Sequence, residues 1–340
     1  MQIPLGWLSD WVGRKPVIVG GLALFASGSL IAGFADTATE LVFGRCLQGG
    51  GAIASSVMAL AADLTREEQR TKAMAVIGIS IGLSFSVAFV AGPAIAAVGG
   101  LAAVFQLTAA MGMIGIAIVL FMVPTPPESA RGGDSEVLAR LSLIPRSLTD
   151  PVLFRLNAGV FVLHFILMSS FLFVPGLLET TAGVSREQHW TVYLPIMFLS
   201  VAGMVPMLAA SERGGRQREM FLLGIVLLLA ALAAIGFARG AWLLYVGLLL
   251  FFIAFNYMEA ALPSLVSKLV FPGGKGTALG VYSTCQFFGA FAGGALGGWL
   301  LQAYGQDVSL GLSMLLLLLW LVLINMPQPA ADAIPLQDAK

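Results

Sequence analysis

The chain has 340 residues, of which 58% are hydrophobic and only 11% charged, with a mean hydropathy of +0.92. Soluble domains carry about 45–50% apolar and 25% charged residues, so this composition excludes one and points to an integral membrane protein. The 18 basic and 18 acidic residues cancel, so net charge argues nothing about nucleic acid, which is not expected as a partner. Cys46 and Cys285 both lie in apolar stretches and offer neither a disulfide framework nor metal-ligand spacing, so neither a metal nor a cofactor is expected.

Apolar blocks of about 20 residues, separated by short polar turns, suit helices crossing about 30 Å of hydrocarbon rather than barrel strands. After a fragment over 1–8, the pattern predicts spans over 16–35, 40–62, 72–97, 101–123, 153–178, 189–210, 219–237, 241–267, 275–302 and 308–326. No cleavable signal peptide is expected, because the first apolar stretch is short and runs straight into charge. The Pro-rich, charged segment 124–152 reads as a linker between an incomplete bundle over 1–123 and a six-helix bundle over 153–326, with a polar tail over 327–340.

In chain order, the first candidate site is the turn Gly6-x-Leu8-x-Asp10-x-x-Gly13-Arg14-Lys15. Glycine permits close contact at 6 and a tight turn at 13, while Asp10, Arg14 and Lys15 put both charge signs at the membrane surface. The next, Arg45-Cys46-Leu47-Gln48-Gly49-Gly50-Gly51, sets a cation inside an apolar span, at a cost of about 2.5–3.5 kcal/mol at a helix centre. Arg45 either has a functional role or snorkels to the interface, and Gln48 shares its face. Asp63 ends that span near the opening turn, as a partner for its cations or as a solvated charge. Gly92-Pro93 predicts a kink packed closely on another helix.

In the second half, His164 interrupts an apolar span, either to titrate or as a satisfied buried histidine. Asn256 and Glu259, three residues apart, share a helical face. A carboxyl at that depth suits a proton carrier, a binder of cationic substrate, or a structural hydrogen bond between helices. Tyr282 and Gln286 lie one turn apart on a glycine-rich helix and are expected to line a cavity with Gln48, Asn256 and His164.

Of the 18 Lys and Arg, all but Arg45, Arg186 and Arg239 fall on one side of the predicted spans, making the opening loop, linker and C-terminus cytoplasmic. Glu212-x-x-Gly215-Arg216 repeats the spacing of Asp10-x-x-Gly13-Arg14, and Thr277-Ala-Leu-Gly280 loosely echoes Lys72-Ala-Met-Ala75. This is the mark of internally repeated transporter folds.

With these motifs the chain resembles the major facilitator superfamily over almost its whole length. The opening turn is similar to the signature loop between the family's second and third helices, and the segment from Arg45 to its fourth-helix motif. Gly92-Pro93 resembles the antiporter motif of the drug:proton branch, although its flanking glycines fit loosely. The resemblance implies an all-α polytopic protein of two pseudo-symmetric bundles with the first helix missing, a monomer in a bacterial inner membrane. It implies proton-coupled efflux of small hydrophobic or amphiphilic compounds by alternating access, with Asp10, Arg14 and Asp63 as a conformational latch and Arg45 and Glu259 coupling protons. A sugar or metabolite symporter or uniporter, and a non-transporting sensor or truncated remnant, remain open. An enzyme is not expected, since no nucleophile–base pair or acidic cluster stands out.

Overall fold

A computed structural model describes residues 5, 8–9, 12–51, 53–125, 143–212, 215–270 and 275–326. Gly6, Asp10, most of the expected linker and the 327–340 tail lie outside the described residues. The chain divides into two compact units, Met1–Leu141 and Ser142–Lys340.

The first unit is built on α1 (Arg14–Gly33), which packs against α2 (Ala38–Gly50), α3 (Ala54–Asp63) and α4 (Glu67–Phe121). A capping box starts α2: Thr37 Oγ1 accepts from the Glu40 backbone N–H, and the Glu40 carboxylate accepts from the Thr37 N–H, both at 3.2 Å. The span expected to be continuous over 40–62 is broken between Gly50 and Ala54. Consecutive glycines carry the weakest helix propensity short of proline, and a Cβ at Gly51 would lie 2.8 Å from Phe25 N of α1. In α4 the backbone leaves helical angles at Gly99 and Gly100, so two helices join there, between the expected spans. Gly100, at φ 69°, needs the freedom of glycine.

The second unit comprises α5 (Pro151–Thr180), a 3-10 turn (Arg186–Gln188), α6 (Trp190–Glu212), α7 (Gln217–Gly236), α8 (Ala241–Leu269), α9 (Lys275–Tyr304) and α10 (Gln306–Asn325). Asp150 caps α5 by accepting from Val152 N and Leu153 N, both at 3.0 Å, ahead of Pro151 in the first turn. α9 lies along α5 through Gly289, Gly293 and Gly297, which face Phe161, Phe165 and Ser169. Lipid tails are as apolar as leucine, so helices associate by such close backbone contact rather than by escape from water. Behind this seam, Ser169 and Ser309 hydroxyls pair at 3.0 Å, and Trp320 sits edge-on to Phe221.

Seven of the described helical stretches are long and apolar enough to cross a membrane: Arg14–Gly33, Ala94–Phe121, Pro151–Thr180, Arg186–Ser211, Gln217–Gly236, Ala241–Leu269 and Gln306–Asn325. The break after Gly50 leaves α2 and α3 with 13 and 10 residues, too short singly.

The α5–α9 seam gives a paired expectation. A Cβ at Gly293 would lie 2.8 Å from Phe165 Cα, whereas one at Gly294 would meet nothing within 4 Å. Gly293→Ala should cost about 1–3 kcal/mol of stability through overpacking, and Gly294→Ala should be neutral or better. Thermal unfolding of the purified protein checks both; equal effects would refute the close contact.

Candidate functional site

Three polar groupings stand out against the apolar helices. The first gathers at one end of the first unit. Arg14, the first residue of α1, donates from Nε to Asp63 Oδ2 at 2.9 Å and from Nη1 to Ser9 Oγ at 2.7 Å. Each charge sits at the helix end its dipole disfavours, the cation at the start of α1 and the anion at the end of α3, a penalty of about 0.3–1 kcal/mol apiece. Pairing offsets both penalties, and the ends of α1 and α3 are thereby tied. The turn that delivers Arg14 depends on Gly13 at φ 109°. Lys15 points elsewhere, donating to the carbonyl of Val123 just past α4 at 2.7 Å.

The second grouping runs between α1 and α2. Arg45 is exposed, lies over the Phe105 ring at 5.7 Å, and donates from Nη1 to Gln48 Oε1. Gln48 Nε2 donates to Ser29 Oγ at 2.8 Å, and Ser29 Oγ donates to the carbonyl of Phe25 at 2.8 Å. The guanidinium is therefore held one turn further along the helix, not drawn back toward Glu40, whose carboxylate is occupied by the capping box.

The third grouping joins α5, α8 and α9. Gln286 Nε2 donates to Glu259 Oε1 at 2.8 Å and also meets His164 Nε2 at 2.9 Å. His164 Nδ1 faces the carbonyl of Val160 at 3.1 Å, and since a carbonyl can only accept, Nδ1 carries the hydrogen. Nε2 then accepts from Gln286. Glu259 Oε2, which is buried and has no hydrogen-bond partner, stands 3.7 Å from His164 Nε2. The Tyr282 hydroxyl, one turn before Gln286, is likewise buried and unpartnered. Phe255, one turn before Glu259, packs on the His164 ring at 5.7 Å.

Sequence spacing expected Asn256 beside Glu259 in one cavity. Asn256 instead donates to Ser200 Oγ of α6 at 2.9 Å, while Glu259 turns to α9. Residues three apart on a helix diverge by about 60°, enough to address different neighbours. Among the described residues a Cβ at Gly92 would meet nothing within 4 Å, and the backbone leaves helical angles at Gly99–Gly100. Pro93 lies in α4. The second-half echo of the opening turn keeps its glycine, with Gly215 at φ 62°, but Arg216 pairs with Glu219, three residues on. Sequence reading missed Ser29 and Ser200, serines in apolar runs that nothing local distinguishes.

The family model described as Major Facilitator Superfamily matches residues 1–291 and 196–338. The chain is 44% identical over 330 residues to the inner membrane transport protein YajR of Escherichia coli (strain K12), covering 96% of this chain and 72% of that protein. It is 26% identical over 317 residues to the multidrug resistance protein MdtH of Aeromonas hydrophila subsp. hydrophila, covering 88% and 74%. Among solved structures, a bacterial homolog of the human lysosomal transporter Spinster, in an inward-facing and unoccupied conformation, superposes with a TM-score of 0.69 at 15% identity over 95% of this chain and 84% of that one. At that identity the likeness speaks for the fold alone.

The Arg14–Asp63 pair has a measurable signature. Asp63→Ala takes the Asp63 carboxylate away from an arginine side chain that is 9% exposed and should cost about 1–3 kcal/mol. Arg14→Ala in the same background should cost less than it does alone. Strict additivity in a thermal-unfolding double-mutant cycle would show the pair to be uncoupled.

Proposed function

The chain belongs to the major facilitator superfamily, and we propose that this multi-pass inner-membrane transporter is a proton-coupled exporter of small hydrophobic or amphiphilic compounds, working by alternating access. The observation that carries this reading is the Glu259–Gln286–His164 grouping. With Oε1 engaged by Gln286, a proton on the Glu259 carboxyl belongs on Oε2, facing the His164 Nε2 lone pair at 3.7 Å. The Glu259 side chain is 39% exposed while its Oε2 is buried and unpartnered, and such an oxygen can take one positive charge, either a proton or the cationic end of a substrate. Mutual exclusion at a single carboxyl is what antiport requires. Protonation of His164 at Nε2 would set N–H against the Gln286 N–H and give Glu259 Oε2 a cationic donor, exchanging the Gln286 bond for an ion pair. Proton arrival and the carboxylate's choice of partner are linked in that way.

In this reading Arg45 is the coupling residue of the first unit, and the Arg14–Asp63 pair, with Asp10, forms the latch expected of the family's signature loop. Residues 124–152 serve as a cytoplasmic linker between bundles 1–123 and 153–326, the 327–340 tail is cytoplasmic, and the transporter works as a monomer. Tyr282 and Asn256 line the substrate path, and Gln48 supports Arg45 beside it. Efflux is supported by the 26% identity to a protein named for multidrug resistance.

Everted vesicles carrying the chain, acidified inside and offered ethidium, tetraphenylphosphonium and a neutral amphiphile, test the proposal. Substrate entry should release protons, detected as recovery of a quenched acridine dye, and stop when nigericin collapses the gradient. Glu259→Gln should uncouple uptake from pH, and Asp63→Asn should slow uptake about tenfold, as expected for loss of a charge-assisted hydrogen bond. Failure of all three probes to move protons would overturn the proton-driven efflux reading.

A further inference from the structure

The orientation of a glutamine amide is a functional variable, because one end donates and the other accepts. At Gln48 that orientation is dictated from α1. Ser29 Oγ faces the Phe25 carbonyl at 2.8 Å, and the carbonyl can only accept, so the single hydroxyl hydrogen of Ser29 is spent there. Toward Gln48, also at 2.8 Å, Ser29 can then only accept, which requires the amide nitrogen on that side. The amide oxygen is thereby left facing Arg45 Nη1.

Ser29 and Gln48 are 0% and 6% exposed, so bulk water does not compete for either. Their approach is enforced by backbone contact between α1 and α2: a Cβ at Gly44 would lie 2.6 Å from Ala32 N, and one at Gly28 would lie 2.6 Å from Gly44 O. The guanidinium itself is exposed and backed by Phe105. Its hold on the helix therefore depends on an acceptor whose direction it does not set. With the amide reversed, an N–H would oppose the cation.

We propose that Ser29 is a positioning residue for Arg45, acting through Gln48: it fixes the amide so that its oxygen presents to the guanidinium. The inference rests on the proposed coupling role of Arg45 for its functional meaning, and on geometry alone for its mechanism. Replacing the glutamine with glutamate discriminates this from simple packing, because a carboxylate accepts through both oxygens and needs no orientation.

The experiment is thermal unfolding of the purified protein in lipid nanodiscs for Ser29→Ala, Ser29→Thr and Arg45→Ala, each in the Gln48 and the Gln48→Glu background. Ser29→Ala should lower the midpoint by about 2–4 °C, Ser29→Thr should not, and the loss should shrink when Arg45 is already alanine. In the Gln48→Glu background Ser29→Ala should have no cost. The same cost in both backgrounds, or no cost in either, would overturn the positioning role. Proton release in everted vesicles separates this outcome from the parent reading. Wild-type proton release by Arg45→Ala would remove that residue's coupling role while leaving the unfolding result intact. Impaired release by Arg45→Ala with no coupling to Ser29 would retain the coupling role and refute the positioning.

Discussion

Hydrocarbon supplies no hydrogen-bond partners, and from that constraint the rest of this structure follows. A polar side chain inside the helices finds its partner in another side chain or in a backbone carbonyl, or goes without one at a cost. Both polar chains described here are grounded in the same way, on the carbonyl four residues back in their own helix: Ser29 on Phe25, His164 on Val160. Because a carbonyl only accepts, it sets the polarity of everything beyond it. In the first unit the polarity passes through Gln48 and emerges as an oxygen facing a cation; in the second it passes through His164 to Gln286 and emerges as an N–H facing an anion. One device serves opposite charges: Gln48 spends the two ends of its amide on Ser29 and Arg45, whereas Gln286 spends both hydrogens of its nitrogen on His164 and Glu259.

The two halves share a turn but not its bond. Gly13 and Gly215 both hold positive φ, at 109° and 62°, and each is followed by an arginine, Arg14 as the first residue of its helix and Arg216 as the residue that precedes the next. Arg14 reaches Asp63, 49 residues away, whereas Arg216 takes Glu219, three residues on, with side chains 59% and 60% exposed. An exposed i,i+3 pair contributes at most a few tenths of a kcal/mol, while the mostly buried pair binds the ends of two helices. In the second half α8, which occupies the place of α2 and α3, carries Lys268 in its last turn rather than a carboxylate. The repeat has kept the local geometry that one glycine encodes and lost the long-range partner, which depends on a residue elsewhere in the chain.

The same distinction explains what the sequence made legible. Membrane class, span positions and the Arg14–Asp63 pairing follow from composition, hydrophobic blocks and a motif whose partners lie at helix ends. His164, Glu259, Tyr282 and Gln286 were each visible as polar interruptions, but not their meeting, since His164 and Gln286 are separated by 122 residues and joined only by helix packing. Asn256 shows the limit of helical spacing: it assigns a face correctly only to within about 60°, and a neighbouring serine captured the side chain. The break at Gly50–Ala54 was hidden for another reason. An apolar run with three glycines reads as a continuous span until a second backbone comes close enough to compete.

A half-satisfied buried network costs more than an apolar one of the same shape, and this protein keeps such a network at Glu259. Oε1 is bonded, Oε2 is not, and the Tyr282 hydroxyl one helical turn from Gln286 is also unpartnered. Replacing Glu259 with a hydrocarbon would remove the penalty, so stability alone gives no reason for the carboxylate. What the vacancy provides is differential affinity: a proton or a cationic group arriving at Oε2 gains the interaction that the resting arrangement lacks. A conformational equilibrium can be shifted only by as much as a ligand's affinity differs between states, and a group already fully satisfied would have little to offer an arriving ligand. On the proposed reading, the unpaired oxygen is a feature of this unit through which binding can do work on the fold.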